Sequence, residues 1–279
     1  MKQMKRFCIV ANTQKDIGYQ VAKQMKTYLT EHGRSARIVS DARDVKEEED
    51  MDLAVILGGD GTMIQAAKAL TELQLPMIGV NLGTLGFLTE IEKPNIFSAL
   101  DHVMEGNYWL QERTCLTGIA KVGMETKPLG LAVNDCIIGK RGFGRMITTS
   151  VYVNDELVDS YVADGVLIAT PTGSTAYNLS AGGPVLSPAM EGLIITPICP
   201  HSLNKRSIVV SANDRIMMKV GQTRESMTDM ATISVDGQLL SDAETNDTIE
   251  IGKAEEKIQL VRVSDTGFFE RMRSKLNRS

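Results

Sequence analysis

Leu53-Ala54-Val55-Ile56-Leu57-Gly58-Gly59-Asp60-Gly61-Thr62 decides how the first half of the chain reads. Five consecutive apolar residues suit a central strand buried on both faces, and they stop abruptly at a glycine-rich turn. Met63, Ala66, Ala67, Leu70 and Leu73 then recur on one side of an expected helix. A strand running through such a turn into a helix is one half of a βαβ unit. Ligands of open α/β sheets bind at the carboxyl ends of their strands. Gly58, Gly59 and Gly61 let a backbone approach phosphate closely, and Thr62 lies at the positive end of the helix, which favours an anion. Asp60 would be repelled by phosphate unless it binds a metal ion or accepts a proton from an attacking hydroxyl, and both roles belong to phosphoryl transfer. The competing structural role is a helix cap beside a tight turn.

The pattern repeats outward from this point. Phe7–Asn12 reads as a first strand. Ile17, Val21, Met25 and Leu29 recur at helical spacing before Gly33, and Ala36–Ser40 reads as a second strand. The acidic run from Asp41 to Asp52 reads as a solvated linker. Met77–Val80 is a further strand, Asn81–Phe87 a glycine-containing loop, and Asn95 to Glu105 a helix ended by Gly106. Past residue 110 helical periodicity fades. Thr114–Lys121, Leu129–Ile138, Ile147–Val153, Gly165–Ala169, Ile208–Val210, Thr232–Val235 and Thr248–Ile251 read as strands of a β-sandwich or a related all-β domain. The expected organisation is therefore an α/β domain over 1–110, a β-sandwich over 111–255 and a terminal segment over 256–279 that packs back on the first domain and whose Phe268–Leu276 suits a short basic helix.

A chain of 279 residues is long enough for two domains. With 43% hydrophobic and 23% charged residues its composition is that of a globular protein. A net charge of −5 argues against a broad nucleic-acid or anionic-lipid surface, so no nucleic-acid partner is expected. No apolar stretch approaches the roughly 20 residues that cross a bilayer, and the start does not read as a signal peptide, so a cytoplasmic protein without membrane association is expected. Cys8, Cys115, Cys136 and Cys199 lack metal-ligand spacing and read as buried free thiols.

Two familiar nucleotide motifs, Gly-x-x-x-x-Gly-Lys-Ser/Thr and Gly-x-Gly-x-x-Gly after the first strand, are missing. A second polar cluster follows the Gly165–Ala169 strand: Thr170-Pro171-Thr172-Gly173-Ser174-Thr175-Ala176-Tyr177-Asn178. Its density of hydroxyls beside a flat ring suits a polyhydroxylated ligand, although Ser/Thr/Gly loops also serve as plain turns. Asn134-Asp135 interrupt an apolar run, which requires a polar side chain facing inward or into a cleft, or else a sharp turn. Asp236-Gly237-Gln238 reads as a hairpin turn.

Taken together, Gly58–Thr62, Asn81–Phe87, Asn134-Asp135, Asp164-Gly165, Pro171–Tyr177 and Asp236–Gln238 resemble, in order and from end to end, the motifs of the NAD kinases. Gly-Gly-Asp-Gly alone also occurs in diacylglycerol, sphingosine and phosphofructokinases; Pro-Thr-Gly-Ser-Thr-Ala-Tyr is far more specific. The resemblance implies an α/β domain, a β-sandwich domain, and a site between them completed by assembly into a homodimer or homotetramer. It implies phosphorylation of the adenosine-ribose 2′-hydroxyl of NAD by ATP or polyphosphate, with Mg²⁺ bound mainly through substrate phosphates. Asp60 would be the general base, with Gly61 beside it and Phe87 near the adenine. Asn134 and Asp135 would hold the ribose and nearby groups. Asp164, Thr172, Thr175, Ala176, Tyr177 and Ser180 would shape the pocket, and Asp236 and Gln238 would contribute to it. The family commonly has Glu where this chain has Asp135, and Gly where it has Ala163. A lipid kinase would need a membrane-docking surface, which is not evident, and a silent dinucleotide sensor would not need Asp60.

Overall fold

The computed structural model describes residues 3–47, 50–83, 86–142, 145–223, 228–264 and 266–276. Two compact units emerge, Met1–Arg113 with Glu256–Ser279, and Thr114–Glu255. In the first, β1 (Arg6–Ala11), α1 (Gln20–Glu31), β2 (Ser35–Val39), β3 (Leu53–Gly58), α2 (Asp60–Leu70), β4 (Met77–Asn81), β5 (Ile91–Glu92) and α3 (Ile96–Glu105) alternate along the chain. The sheet order β4-β3-β1-β2 is parallel throughout. All six residues of β3 are buried, as its unbroken apolar run requires of a strand covered on both faces.

Local chemistry sets the helix ends. Gly18 (φ 66°) and Tyr19 (φ 57°) are left-handed, so α1 begins only at Gln20. The expectation that Ile17 shares its buried stripe fails, and Ile17 is 77% exposed. Val21, Met25 and Leu29 are buried as expected, the Asp16 carboxylate accepts the amides of Val21 and Ala22 at 2.9 Å each, and Gly33 (φ 70°) takes the chain out of the helix. Leu73 lies beyond the end of α2 and is only half-buried. The acidic run after β2 is anchored by buried Ala42 and Val45; its residues 48 and 49, like residues 84 and 85 of the Asn81–Phe87 loop, lie outside the described residues.

The second unit takes up most of β6 (Trp109–Val122), then β7 (Glu125–Pro128), β8 (Asp135–Lys140), β9 (Ile147–Val153), β10 (Glu156–Ala163), β11 (Gly165–Ala169), a single-turn α4 (Tyr177–Ser180), β12 (Gly192–Ile198), β13 (Ile208–Ser211), β14 (Ile216–Val220), β15 (Met230–Val235), β16 (Gln238–Glu244) and the first part of β17 (Thr248–Arg262). One antiparallel sheet runs β10-β9-β14-β17, with β6 beside β17; the other runs β13-β12-β11-β8-β15-β16. Val166, Ile168, Leu193, Ile195 and Ile233 of one sheet share a core with Val151, Tyr161, Ile216, Met218 and Ile249 of the other, which makes this unit a β-sandwich.

Two expectations need correction here. Of the predicted Leu129–Ile138 strand only the part from Asp135 onward extends, as the start of β8; Ala132 makes an isolated bridge to Leu116, and Asn134 sits in a bend. Cys8, Cys115 and Cys136 are buried, but Cys199 is exposed. Burial pushes the Cys8 thiol up to about 11 and raises Cys136 as well.

The last residues of β17 and helix α5 (Phe268–Leu276) belong to the first unit. Leu260 pairs with Met77 of β4. Among the described residues no helix is long and apolar enough to cross a membrane.

Candidate active site

The turn from β3 into α2 holds Asp60 as the first helical residue, with Gly59 as the N-cap. Its carboxylate does not cap its own helix. Oδ2 accepts the amide of Phe87 at 2.8 Å, and Oδ1 accepts those of Leu88 and Thr89 at 3.0 and 3.4 Å. A carboxylate has about four lone-pair positions, so three amide bonds fix its direction and leave one free to act. A Cβ at Gly86 would overlap Asp60 Oδ1, so the loop can close on the carboxylate only with glycine there. Asp60, Gly59, Asn81, Gly83, Gly86, Lys15 and Lys275 line an open cavity of about 580 Å³.

The glycines of the turn serve different ends. A side chain at Gly58 would collide with Thr62, which folds over it, so this glycine serves the turn itself. Around Gly61 there is open space, and it is the exposed glycine of the turn. A second cavity of about 390 Å³, lined by Asn12, Gln14, Asp41, Gly61, Thr62 and Gln65, opens at the carboxyl ends of β1 and β2. The sheet order changes direction between β1 and β3, the point at which open α/β sheets take their ligands.

A buried ionic frame stands behind the Asp60 loop. The peptide carbonyls of Leu88 and Thr89, whose amides face Asp60, accept from Arg262 Nη1 at 3.3 Å and Arg271 Nη1 at 2.7 Å. Glu90, with no side-chain exposure, pairs with both arginines and also accepts the amide and hydroxyl of Ser264. Burial raises the Glu90 pKa, but the two guanidinium groups and the Ser264 bonds outweigh it, and the net direction is down. Burial and the charges of Arg262 and Arg271 lower Arg113 to about 9, with Asp60 acting in the opposite sense.

The second unit gathers a different set. Asp236 (φ 48°) and Gly237 (φ 75°) make the β15–β16 hairpin turn, both left-handed as a type I′ turn demands. The same Asp236 carboxylate accepts the amides of Val133, Asn134 and Asp135 at 3.0, 2.7 and 3.2 Å, and so fixes the bend at Asn134. Thr170 donates its hydroxyl to Val133 O at 2.7 Å and its amide to Asn134 O at 2.9 Å. Gly173 lies so close to the Asn134 carbonyl that no side chain fits. Asn178 is buried and bonded to Ser174 O, Pro184 O and the Thr196 hydroxyl, a structural role.

Family models for the ATP-NAD kinase N-terminal domain and the ATP-NAD kinase C-terminal domain match residues 5–108 and 133–263. The chain belongs to the NAD kinase family. The NAD kinase of Lachnoclostridium phytofermentans is 40% identical over 281 residues, covering 98% of this chain and 99% of that one. That of Caldanaerobacter subterraneus subsp. tengcongensis is 39% identical over 285 residues, with the same coverage. An NAD kinase from Archaeoglobus fulgidus solved in complex with ATP superposes with a TM-score of 0.78 at 26% identity, over 98% of each chain. Yeast NADH kinase complexed with NADH shares the fold, with a TM-score of 0.80 at 23% identity over 99% of this chain and 89% of that one.

Against the NAD kinase motifs, Asn134, Asp135 and Asp236 come together with the Thr170–Gly173 segment. Thr172 is buried, Thr175 and Ala176 are half-buried, and Tyr177 and Ser180 are exposed on α4. Asp135, one methylene shorter than the usual Glu, is 4% exposed, and Ala163 is buried at the end of β10. Gln238 is exposed at the start of β16. Asp164 lies apart. It precedes β11, pairs with Lys140 at 2.7 Å, and is separated from the Thr170–Ser180 segment by the five residues of β11, about 16 Å of extended chain. Lys15, Glu90, Arg262, Arg271 and Lys275 escaped the sequence reading. Glu90 alone carried a signal, a carboxylate set inside the otherwise uncharged run Phe87-Leu88-Thr89 and Ile91.

Proposed function

We propose that Asp60 is the general base with which this member of the NAD kinase family phosphorylates NAD. The adenosine-ribose 2′-oxygen forms a bond to the terminal phosphorus of a nucleoside triphosphate, the bond from that phosphorus to its bridging oxygen breaks, and the hydroxyl proton passes to Asp60. The products are NADP and the diphosphate. The observation that supports this reading is the placement of Asp60: a carboxylate held by three backbone amides at the carboxyl end of a parallel strand, facing an open cavity. Gly58, Gly59, Gly61 and Thr62 present the start of α2 to donor phosphates. Phe87 packs near the adenine, and Asn134, Asp135, Thr172, Thr175, Ala176, Tyr177, Ser180, Asp236 and Gln238 hold NAD.

A divalent metal ion, proposed to be magnesium, would come with the donor as part of the substrate and would offset the repulsion between the donor's phosphates and those of NAD. Three amides already engage Asp60, and among the described residues no group of three or more His, Cys, Asp or Glu could hold a metal ion. ATP is the proposed donor, with polyphosphate as the second. The enzyme works in the cytoplasm as a homodimer or homotetramer. The distance of Asp164 from the other NAD-binding residues of its own unit supports an assembly in which a second copy supplies it.

Kinetics with each substrate varied separately tests this assignment. Asn134→Ala raises the KM for NAD about tenfold, the worth of a lost hydrogen bond in a site, and leaves the KM for ATP at its parental value. Thr62→Ala does the reverse. An Asn134→Ala variant with parental KM for NAD contradicts the assignment.

A further inference from the structure

We infer that Lys275 of the C-terminal helix, with Lys15 of the loop after β1, binds phosphoryl oxygens of the donor beside Asp60. The inference rests on the β3–α2 turn being the phosphoryl-transfer site. Phe268, Arg271 and Lys275 stand at i, i+3 and i+7 of α5 and so share one face. The first two fix that face against the Asp60 loop. The Phe268 ring lies 6.2 Å from that of Phe87, and Arg271 is bonded to Thr89 O and Glu90. Lys275 is thereby delivered to the cavity, its Nζ 4.0 Å from Asp60 Oδ2 and 4.3 Å above the centre of the Phe87 ring. Lys15 arrives from a segment remote in sequence, its Nζ 3.2 Å from where a Cβ on Gly59 would stand.

An ion pair with Asp60 does not account for Lys275. The carboxylate already accepts three amides, the separation is at the limit for an ion pair, and the lysine is 27% exposed, a setting in which such pairs contribute little. Phosphate chemistry does account for it. A triphosphate placed beside a carboxylate meets like charge, and two ammonium groups on flexible stems supply compact positive charge where charge develops in transfer.

The test uses the full-length chain and the variants Lys275→Met, Lys275→Arg, Lys15→Met and Asp60→Asn, each checked for a parental thermal transition. Initial rates with ATP and NAD varied separately are combined with inhibition by inorganic tripolyphosphate, which carries the phosphate chain without the nucleoside. Lys275→Met lowers kcat/KM for ATP and weakens tripolyphosphate inhibition on the order of 10–100-fold, the effect of losing a charge-assisted hydrogen bond, and leaves the KM for NAD unchanged. Lys15→Met moves in the same direction, and Lys275→Arg recovers most of the loss. Parental tripolyphosphate inhibition in Lys275→Met, or equal losses toward ATP and NAD, overturns the inference. Asp60→Asn separates the two ideas: an inactive Asp60→Asn beside a parental Lys275→Met removes the lysine and keeps the base. An active Asp60→Asn removes the base, while the tripolyphosphate measurement still reads the lysine.

Discussion

Glu90→Ala destabilises the first unit by about 3–5 kcal/mol, the usual consequence of removing one partner from a buried ionic cluster. The carboxylate has no side-chain exposure, and its two oxygens accept from Arg262, Arg271, the amides of Val263 and Ser264 and the Ser264 hydroxyl. Truncation leaves two guanidinium groups, 5% and 8% exposed, facing each other without their counter-charge. In a unit of this size the melting temperature falls by about 10 °C or more. The same group gives a pH dependence whose sign is fixed. Its pKa is lower folded than unfolded, so its contribution is fully present above the ordinary carboxylate range and is lost as pH falls through the folded value. Melting temperatures measured from neutral pH down to about 3 therefore fall less steeply for Glu90→Gln than for the parent. A Glu90→Ala protein with the parental transition contradicts the frame.

Asp60→Asn lowers kcat by about 10²–10⁴-fold, the contribution of a positioned base. An asparagine keeps one oxygen for the amides of Phe87, Leu88 and Thr89, but its NH₂ group presents donors to donors on the other side. Some loosening of the loop is therefore expected, and the melting transition is measured alongside turnover. The KM for NAD changes far less than kcat, because the residues assigned to hold NAD, Phe87 apart, are in the second unit. A variant with unchanged kcat removes Asp60 as the base.

The sequence carried the parallel half of the fold through contrast. Leu53–Leu57 is uniformly apolar, stops at glycine, and is followed by a clean helical stripe, so strand, turn and helix were all legible. The β-sandwich was less so. The strand Glu156–Ala163 was missed because only Tyr161 and Ala163 are buried in it and its polar residues mask the alternation. Gly192–Ile198 was missed although every residue is buried; Pro197 is tolerated because β13 pairs only with Gly192–Ile195. Asn134-Asp135 was recognised as a polar interruption. That Asp236, more than a hundred residues later, ties the bend was not, because a side chain accepting distant amides leaves no local pattern. The same holds for Arg262, Arg271 and Lys275, which reach the Asp60 loop only once the end of the chain has folded onto it.

The most direct measurement is NADP formation by the purified chain given NAD, ATP and magnesium, read through an NADP-specific dehydrogenase. With Asp60 as the base, NADP forms, requires the metal ion and disappears with Asp60→Asn. A folded chain that binds NAD saturably but forms no NADP with ATP or polyphosphate would contradict this, and would leave a dinucleotide-binding protein without phosphoryl transfer.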